Sequence, residues 1–156
     1  MAKDDWQTPK ELFDKLNDEF GFDLDVAATS ENKLCNTRCI DGLIADWSGL
    51  QSYFTYYPIC WMNPPYSKPN LDLFSKKAFE ESQKGCTVVG LLPLRSASWF
   101  HKYVMKSHEI RFLTRRVKFI DPETGKQTKG SPNFDSIIVV WKPGHVDAPK
   151  VSSYEW

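Results

Sequence analysis

Asn63-Pro64-Pro65-Tyr66 combines residue types that together could hold and activate a planar amino group. The run follows an apolar stretch, Pro58-Ile59-Cys60-Trp61-Met62, and precedes a helical pattern, so it is expected where a buried strand stops and opens on a crevice. Neither proline has an N–H with which to extend a sheet ladder. Both instead stiffen the backbone and aim the Asn63 side chain and the Pro64 carbonyl outward. Two fixed acceptors beside the Tyr66 ring make a receptor for an –NH2 group. The plain competing reading is a strand-ending turn without chemistry, and tetrapeptides of this kind do arise that way.

The elements that would position this run follow from patterning. Thr8-Pro9-Lys10-Glu11 reads as a capping box, with Thr8 at the N-cap and Pro9 at the first helical position. The helix carries Leu12, Phe13, Leu16 and Phe20 on one face and stops at Gly21. Phe22 to Ala27 alternates as a strand and ends in small residues, and 42–46 is a weak strand or turn before Trp47. A helix is expected over 70–84 with Leu71, Phe74 and Ala78 inward, then a strand over 86–92 buried on both sides and ended by Pro93. A short helix from Ser96 or Ser98 to Met105 follows, then strands at 110–113 and 117–120, a polar loop at 121–133, and a buried strand at 135–141. The alternation predicts an α/β fold: a mainly parallel sheet, an antiparallel edge hairpin and helices on both faces. Ligands of such sheets bind beyond the carboxyl ends of the strands. Asp25 to Ala28, Asp46-Trp47 and Asn63 to Tyr66 all fall at such ends.

Composition bounds the function classes. A chain of 156 residues supports one domain, 1–156, with a loose tail from about residue 143. No apolar run nears the roughly 20 residues that cross a bilayer, and Met1-Ala2-Lys3-Asp4-Asp5 lacks signal-peptide character, so a cytoplasmic protein without membrane partners is expected. Cys60 and Cys86 lie in apolar runs and read as core. Cys35 and Cys39 have no second Cys/His pair at zinc spacing, so no metal is expected. Net charge is zero, yet residues 1–66 hold five basic and 11 acidic residues, while 95–129 hold nine basic and three acidic. A basic region on a neutral protein can bind a polyanion locally, although basic loops are common on any surface.

Taken together, these segments resemble the phage-type DNA adenine-N6 methyltransferase family, the phage Dam-like enzymes. Trp6-Gln7-Thr8-Pro9, the run from Phe20 to Ala28, Asn63 to Tyr66, and Phe134-Asp135-Ser136-Ile137-Ile138 fall in the family's order, over roughly residues 6–141. The resemblance implies a Rossmann-like class I methyltransferase fold using S-adenosyl-L-methionine. It implies that Asp25, Ala27 and Ala28 meet the methionine end of that cofactor, and that Asp46 and Trp47 meet its adenine. Trp6, Thr8 and Pro9 would border it, and Asn63, Pro64, Pro65 and Tyr66 would be catalytic. Each carry-over has a plainer counterpart: Thr8 as a helix cap, Asp25 as a turn former, Trp47 as core. The sequence departs from the family pattern in having only 21 positions from Asp25 to Asp46 and alanines where a glycine-rich turn is common. Glu31 and Asp41 are both open as the acidic grip on the cofactor ribose.

The implied reaction is direct methyl transfer to adenine N6, with the base flipped from double-stranded DNA and stacked on Tyr66. DNA contacts are expected from Lys68, Arg95, Arg115, Arg116, Lys118, Lys126 and Lys129. Two alternatives stand beside this reading. The same tetrapeptide logic serves RNA amino groups and protein glutamine amides, and a non-catalytic DNA-binding phage accessory protein could keep the fold. Oligomeric state, monomer or homodimer, is open, and a phage-encoded enzyme would act in the host cytoplasm.

Overall fold

The continuous apolar runs become the middle of one sheet. The computed structural model describes residues 7–27, 38–39, 41–121, 123–127 and 134–156. In chain order the elements are α1 (Lys10–Phe20), β1 (Leu24–Asp25), β2 (Arg38–Cys39), α2 (Gln51–Phe54), β3 (Ile59–Met62) and α3 (Asn70–Lys84). They continue as β4 (Thr87–Pro93), α4 (Ser98–Lys102), β5 (Glu109–Leu113), β6 (Ser136–Trp141) and β7 (Lys150–Tyr154). Among the described residues seven strands form the sheet, in the order β2-β1-β3-β4-β6-β5-β7. β1 pairs in parallel with β2 and β3, β3 with β4, and β5 with β7, whereas β6 runs against both β4 and β5.

Strand alternation splits the core into two faces. Cys60 and Met62 of β3, Val88 and Leu92 of β4, and Ile137, Val139 and Trp141 of β6 pack against Leu71, Phe74 and Ala78 of α3 and Trp99 of α4. Trp61, Val89, Leu91, Ile138 and Val140 point the other way, onto Leu12, Phe13 and Leu16 of α1. Helices therefore cover both faces, as the patterning requires. Cys60 and Cys86 are fully buried, as their apolar surroundings predict.

Several expectations fail for identifiable reasons. The antiparallel strand is interior, because β6 inserts between β4 and β5; the edge on that side is β7, parallel to β5. The tail expected to be loose after residue 143 supplies that edge strand. It is fastened by Arg111 beneath the Tyr154 ring, by the Arg115 guanidinium on the Trp156 carbonyl at 2.7 Å, and by Lys15 on the Glu155 carbonyl. Residues 117–119 alternate in burial as a strand would, but the edge of β5 is already taken. They lie instead across the α1 face with Val117 and Phe119 buried, and among the described residues Ile120 makes ladder contacts, to Gln7 and Gln127. Pro93 is the last residue of β4 and pairs with Ser136 rather than standing outside the strand.

The capping box is also absent. Pro9 occupies the N-cap position and no side chain caps the first turn. Gly21 ends the helix as predicted, at φ 68°, where its N–H reaches the Asn17 carbonyl. Among the described residues, no helix is long and apolar enough to cross a membrane.

Candidate active site

The ends of β1 and β3 lie side by side. Asp25 pairs in register with Trp61, and the Val26 N–H still reaches the Trp61 carbonyl at 3.1 Å. The two chains leave the sheet together, so Asp25 and Ala27 come beside Asn63 at the carboxyl edge. Asp25 is buried, and its carboxylate accepts from the Ala27 N–H at 3.4 Å. Gly42 closes over this turn: a Cβ there would stand 1.8 Å from the Val26 carbonyl oxygen, so the crossing admits only glycine.

At the end of β3, Pro64 is buried and Asn63 and Pro65 are half-buried. The Asn63 amide nitrogen donates to the Thr8 hydroxyl at 3.0 Å. Thr8 is itself buried just before α1, so the hydroxyl expected to cap the helix reaches the tetrapeptide instead. Tyr66 turns back onto the sheet and donates its O–H to the Leu91 carbonyl at 3.0 Å. Its ring meets Phe119 edge-on at 6.1 Å and Phe134 at 5.9 Å, and the Arg95 guanidinium lies 5.9 Å from the Phe134 ring on the outer side. Burial pushes the Tyr66 phenol well above its ordinary value, with the Arg95 charge opposing, so the group is a neutral donor. It anchors a ring and is no base.

Phe119 and Phe134 are the residues that sequence reading left without a role. The available signal for Phe134 was an aromatic side chain immediately before a buried strand. For Phe119 there was none, because its stretch reads as an ordinary strand.

Other expected contacts separate into three groups. Lys68, Arg95 and Lys118 are exposed in the segments that leave the carboxyl ends of β3, β4 and β5. Arg116 is at the same edge and pairs with Asp135 at 3.0 Å. Lys126 is exposed in the turn at 123–127, which is bridged to the site segment through Ile120, the partner of both Gln7 and Gln127. Arg115 is different: it stacks 3.8 Å from the centre of the Trp156 ring and bonds that residue's carbonyl, so its guanidinium, although exposed, is engaged with the tail.

Asp46 and Trp47 are not brought to the site. Glu81, fully buried in the last turn of α3, accepts from the Trp47 N–H at 3.2 Å and the Ser48 hydroxyl at 3.1 Å. Asp46 lies 4.0 Å from Lys84 at the same end of the helix. Since α3 starts near the proline corner and is about 21 Å long at 1.5 Å per residue, this end is remote from Asn63. Trp47 is wholly enclosed in the core with its indole N–H on the Gly42 carbonyl, and offers no ring face to a ligand. Asp41 accepts from the Leu43 N–H at 3.3 Å within its own turn. Trp6, Ala28, Glu31 and Lys129 lie outside the described residues. A cavity of about 300 Å³ lined by Phe79, Gln83, Lys106, His145, Val146 and Asp147 opens beyond the end of β6, on the opposite edge of the sheet from Asn63.

Residues 1–154 match the family described as DNA N-6-adenine-methyltransferase (Dam). A protein of Escherichia phage T1 described as a DNA N-6-adenine-methyltransferase is 32% identical to 90% of the chain, which spans 63% of that relative's length. A protein of Haemophilus phage HP1 with the same description is 35% identical over 97% of the chain and 86% of the relative.

Proposed function

This chain belongs to the DNA N-6-adenine-methyltransferase (Dam) family, and we propose that it methylates adenine N6 in double-stranded DNA with S-adenosyl-L-methionine as donor. The observation that carries this reading is the Asn63-Pro64-Pro65-Tyr66 corner, at the carboxyl end of a parallel strand with its asparagine and tyrosine side chains both anchored. The sheet, with β6 the one reversed strand among the described residues, supports a Rossmann-like class I methyltransferase architecture.

In this mechanism the Asn63 side-chain oxygen and the Pro64 carbonyl accept hydrogen bonds from the adenine amino group. That nitrogen is a poor nucleophile while its lone pair is delocalised into the ring. Two acceptors in a tetrahedral arrangement favour the pyramidal nitrogen and localise the lone pair, an interaction stronger in the transition state than in the ground state. Tyr66 supplies a stacking surface, and its ring is prevented from swinging by the Leu91 carbonyl and the Phe119 and Phe134 rings. The base must leave the duplex to reach this corner. Lys68, Arg95, Arg116 and Lys118, with Lys126 on the adjoining turn, would hold the flanking phosphates.

When bound, the donor would supply the methyl group of a sulfonium, the S–CH3 bond breaking to leave a neutral thioether while N6 gains the methyl and gives up one proton to solvent. The end of β1 fits its amino-acid part: Asp25 is a buried carboxylate suited to an ammonium group, and the small Ala27 side chain permits close approach. Pro9 would border the same space, while the Thr8 hydroxyl beside it is taken up by Asn63. Asp46 and Trp47 do not fit its adenine part, for the reasons of position given above.

The deciding experiment counts labelled methyl groups transferred to DNA, RNA and protein in parallel, followed by sequencing of the product for modified adenine. Label confined to N6 of DNA adenine is expected. Label on RNA or glutamine amides, or no transfer at all, would overturn the assignment.

A further inference from the structure

We infer that Thr8 is a positioning residue for Asn63, fixing the plane of its amide so that the side-chain oxygen meets the acceptor amine; this rests on the function proposed above. A primary amide is chemically two-faced. Its oxygen attracts an –NH2 group and its nitrogen repels one, yet rotation about the last side-chain bond is broad and the two ends are nearly the same size. An asparagine that must act as an acceptor therefore needs a partner that holds its nitrogen. Thr8 Oγ1 takes the Asn63 Nδ2–H at 3.0 Å, which directs Oδ1 along the other branch of the amide.

The surroundings suit Thr8 to that task. The hydroxyl is buried and is not used in capping α1. The backbone beside it is held on both sides. Gln7 and Ile120 exchange N–H···O bonds of 2.9 Å in each direction, and the Pro9 carbonyl receives the Phe13 N–H at 3.2 Å in the first helical turn. Two segments far apart in sequence, before α1 and after β5, thus brace a residue whose side chain ends on Asn63. A hydroxyl could also donate to Oδ1 if the amide turned over. In that orientation, however, Asn63 would oppose its own N–H to those of the substrate. The clamp fixes the plane, and the substrate amine accepts only one of the two orientations within it.

The test uses Thr8→Val, which keeps the shape and loses the hydroxyl, beside Thr8→Ser, which keeps the hydroxyl, with Asn63→Ala as reference. Thr8→Val is expected to lower kcat by about 10- to 100-fold, as misplacement of a positioned group by about an ångström does, with KM for S-adenosylmethionine within about twofold of the parent. Thr8→Ser should retain kcat within about threefold. In the parent the Asn63 side-chain amide should give two resolved, slowly exchanging proton resonances, and Thr8→Val should collapse their protection. A raised KM with intact kcat would make Thr8 a cofactor contact and overturn the inference. So would an equal loss of kcat in the serine and valine variants, or parental kcat in Thr8→Val while Asn63→Ala is inactive. Activity in Asn63→Ala would instead overturn the proposed function beneath it. If Thr8→Val fails to fold, Thr8→Ser and the amide resonances of the parent still decide: lost kcat in the former or fast-exchanging amides in the latter overturn the inference.

Discussion

The proline corner at 63–66 and the stretch 41–50 both contain a short polar-aromatic motif, yet they fold in opposite ways. At the corner, polar side chains are held by partners from other elements: Asn63 by Thr8, Tyr66 by the Leu91 carbonyl. In the 41–50 stretch, polar groups are consumed locally or by α3. The Asp46 carboxylate takes the Ser48 hydroxyl at 2.8 Å and the Gly49 N–H at 3.2 Å, and Glu81 takes the Trp47 N–H. The first arrangement fixes side chains at the carboxyl edge of the sheet, and the second terminates chain segments. The corner follows directly on a paired strand, whereas Asp46 comes seven positions after β2 and lies beside Lys84 at the far end of α3.

The largest expected consequence is at the corner. Asn63→Ala should lower the methylation rate by at least about 10²-fold, the usual loss of a transition-state hydrogen-bond partner. Binding of S-adenosylmethionine by calorimetry and the thermal midpoint should remain near parental values, because Asn63 is half-buried and outside the packed clusters. The converse is expected of Glu81→Ala. Its buried carboxylate serves backbone N–H groups of Trp47 and Ser48, so its removal strands donors and should cost about 2 kcal/mol in denaturant unfolding. Methylation per folded molecule should stay unchanged. Loss of rate without loss of stability in Glu81→Ala would break the contrast between the two regions.

The same contrast explains what was legible in the sequence. β3, β4 and β6 are continuous apolar runs, and α1 and α3 have clean inner faces, so these elements could be read from their patterning. The tetrapeptide inherited its position from β3. The insertion of β6 between β4 and β5 is a long-range pairing that no local pattern encodes. β7, with mostly exposed residues, has almost no hydrophobic signature. Asp46-Trp47 is hard to place from sequence because an acidic-aromatic pair after a short apolar run looks the same whether a strand precedes it or a turn does. Thr8 misled for a related reason: threonine, proline and glutamate at cap spacing satisfy a local rule, while the hydroxyl's partner is 55 residues away.

A third expectation separates exposed from engaged cations at the carboxyl edge. Arg95→Ala and Lys118→Ala should each weaken DNA binding and reduce the salt slope of log K by roughly one, as loss of a single phosphate contact does. Arg115→Ala should leave that slope unchanged and lower the thermal midpoint, because its guanidinium is spent on Trp156 and, at 3.4 Å, Glu11. Equal slopes for all three variants would show that Arg115 leaves the tail to reach DNA.

The smallest effect is expected of Asp46→Ala, and it bears directly on the comparison. The side chain is 64% exposed, and hydrogen bonds from the Ser48 hydroxyl and the Gly49 N–H hold its carboxyl below the ordinary value. A group depressed in the folded state contributes stability above its unfolded pKa and loses it as pH falls through the folded pKa. Solvent screening at so exposed a site limits the contribution to a few tenths of a kcal/mol, about the size of a surface ion pair. Asp46→Ala should therefore lower the thermal midpoint slightly at neutral pH. The difference should fade once the solution is acidic enough to protonate the parental carboxylate. Affinity for S-adenosylmethionine should not change. A loss of tenfold or more in that affinity would mean that residues 41–50 leave α3 when the donor binds, and that the two regions form one site after all.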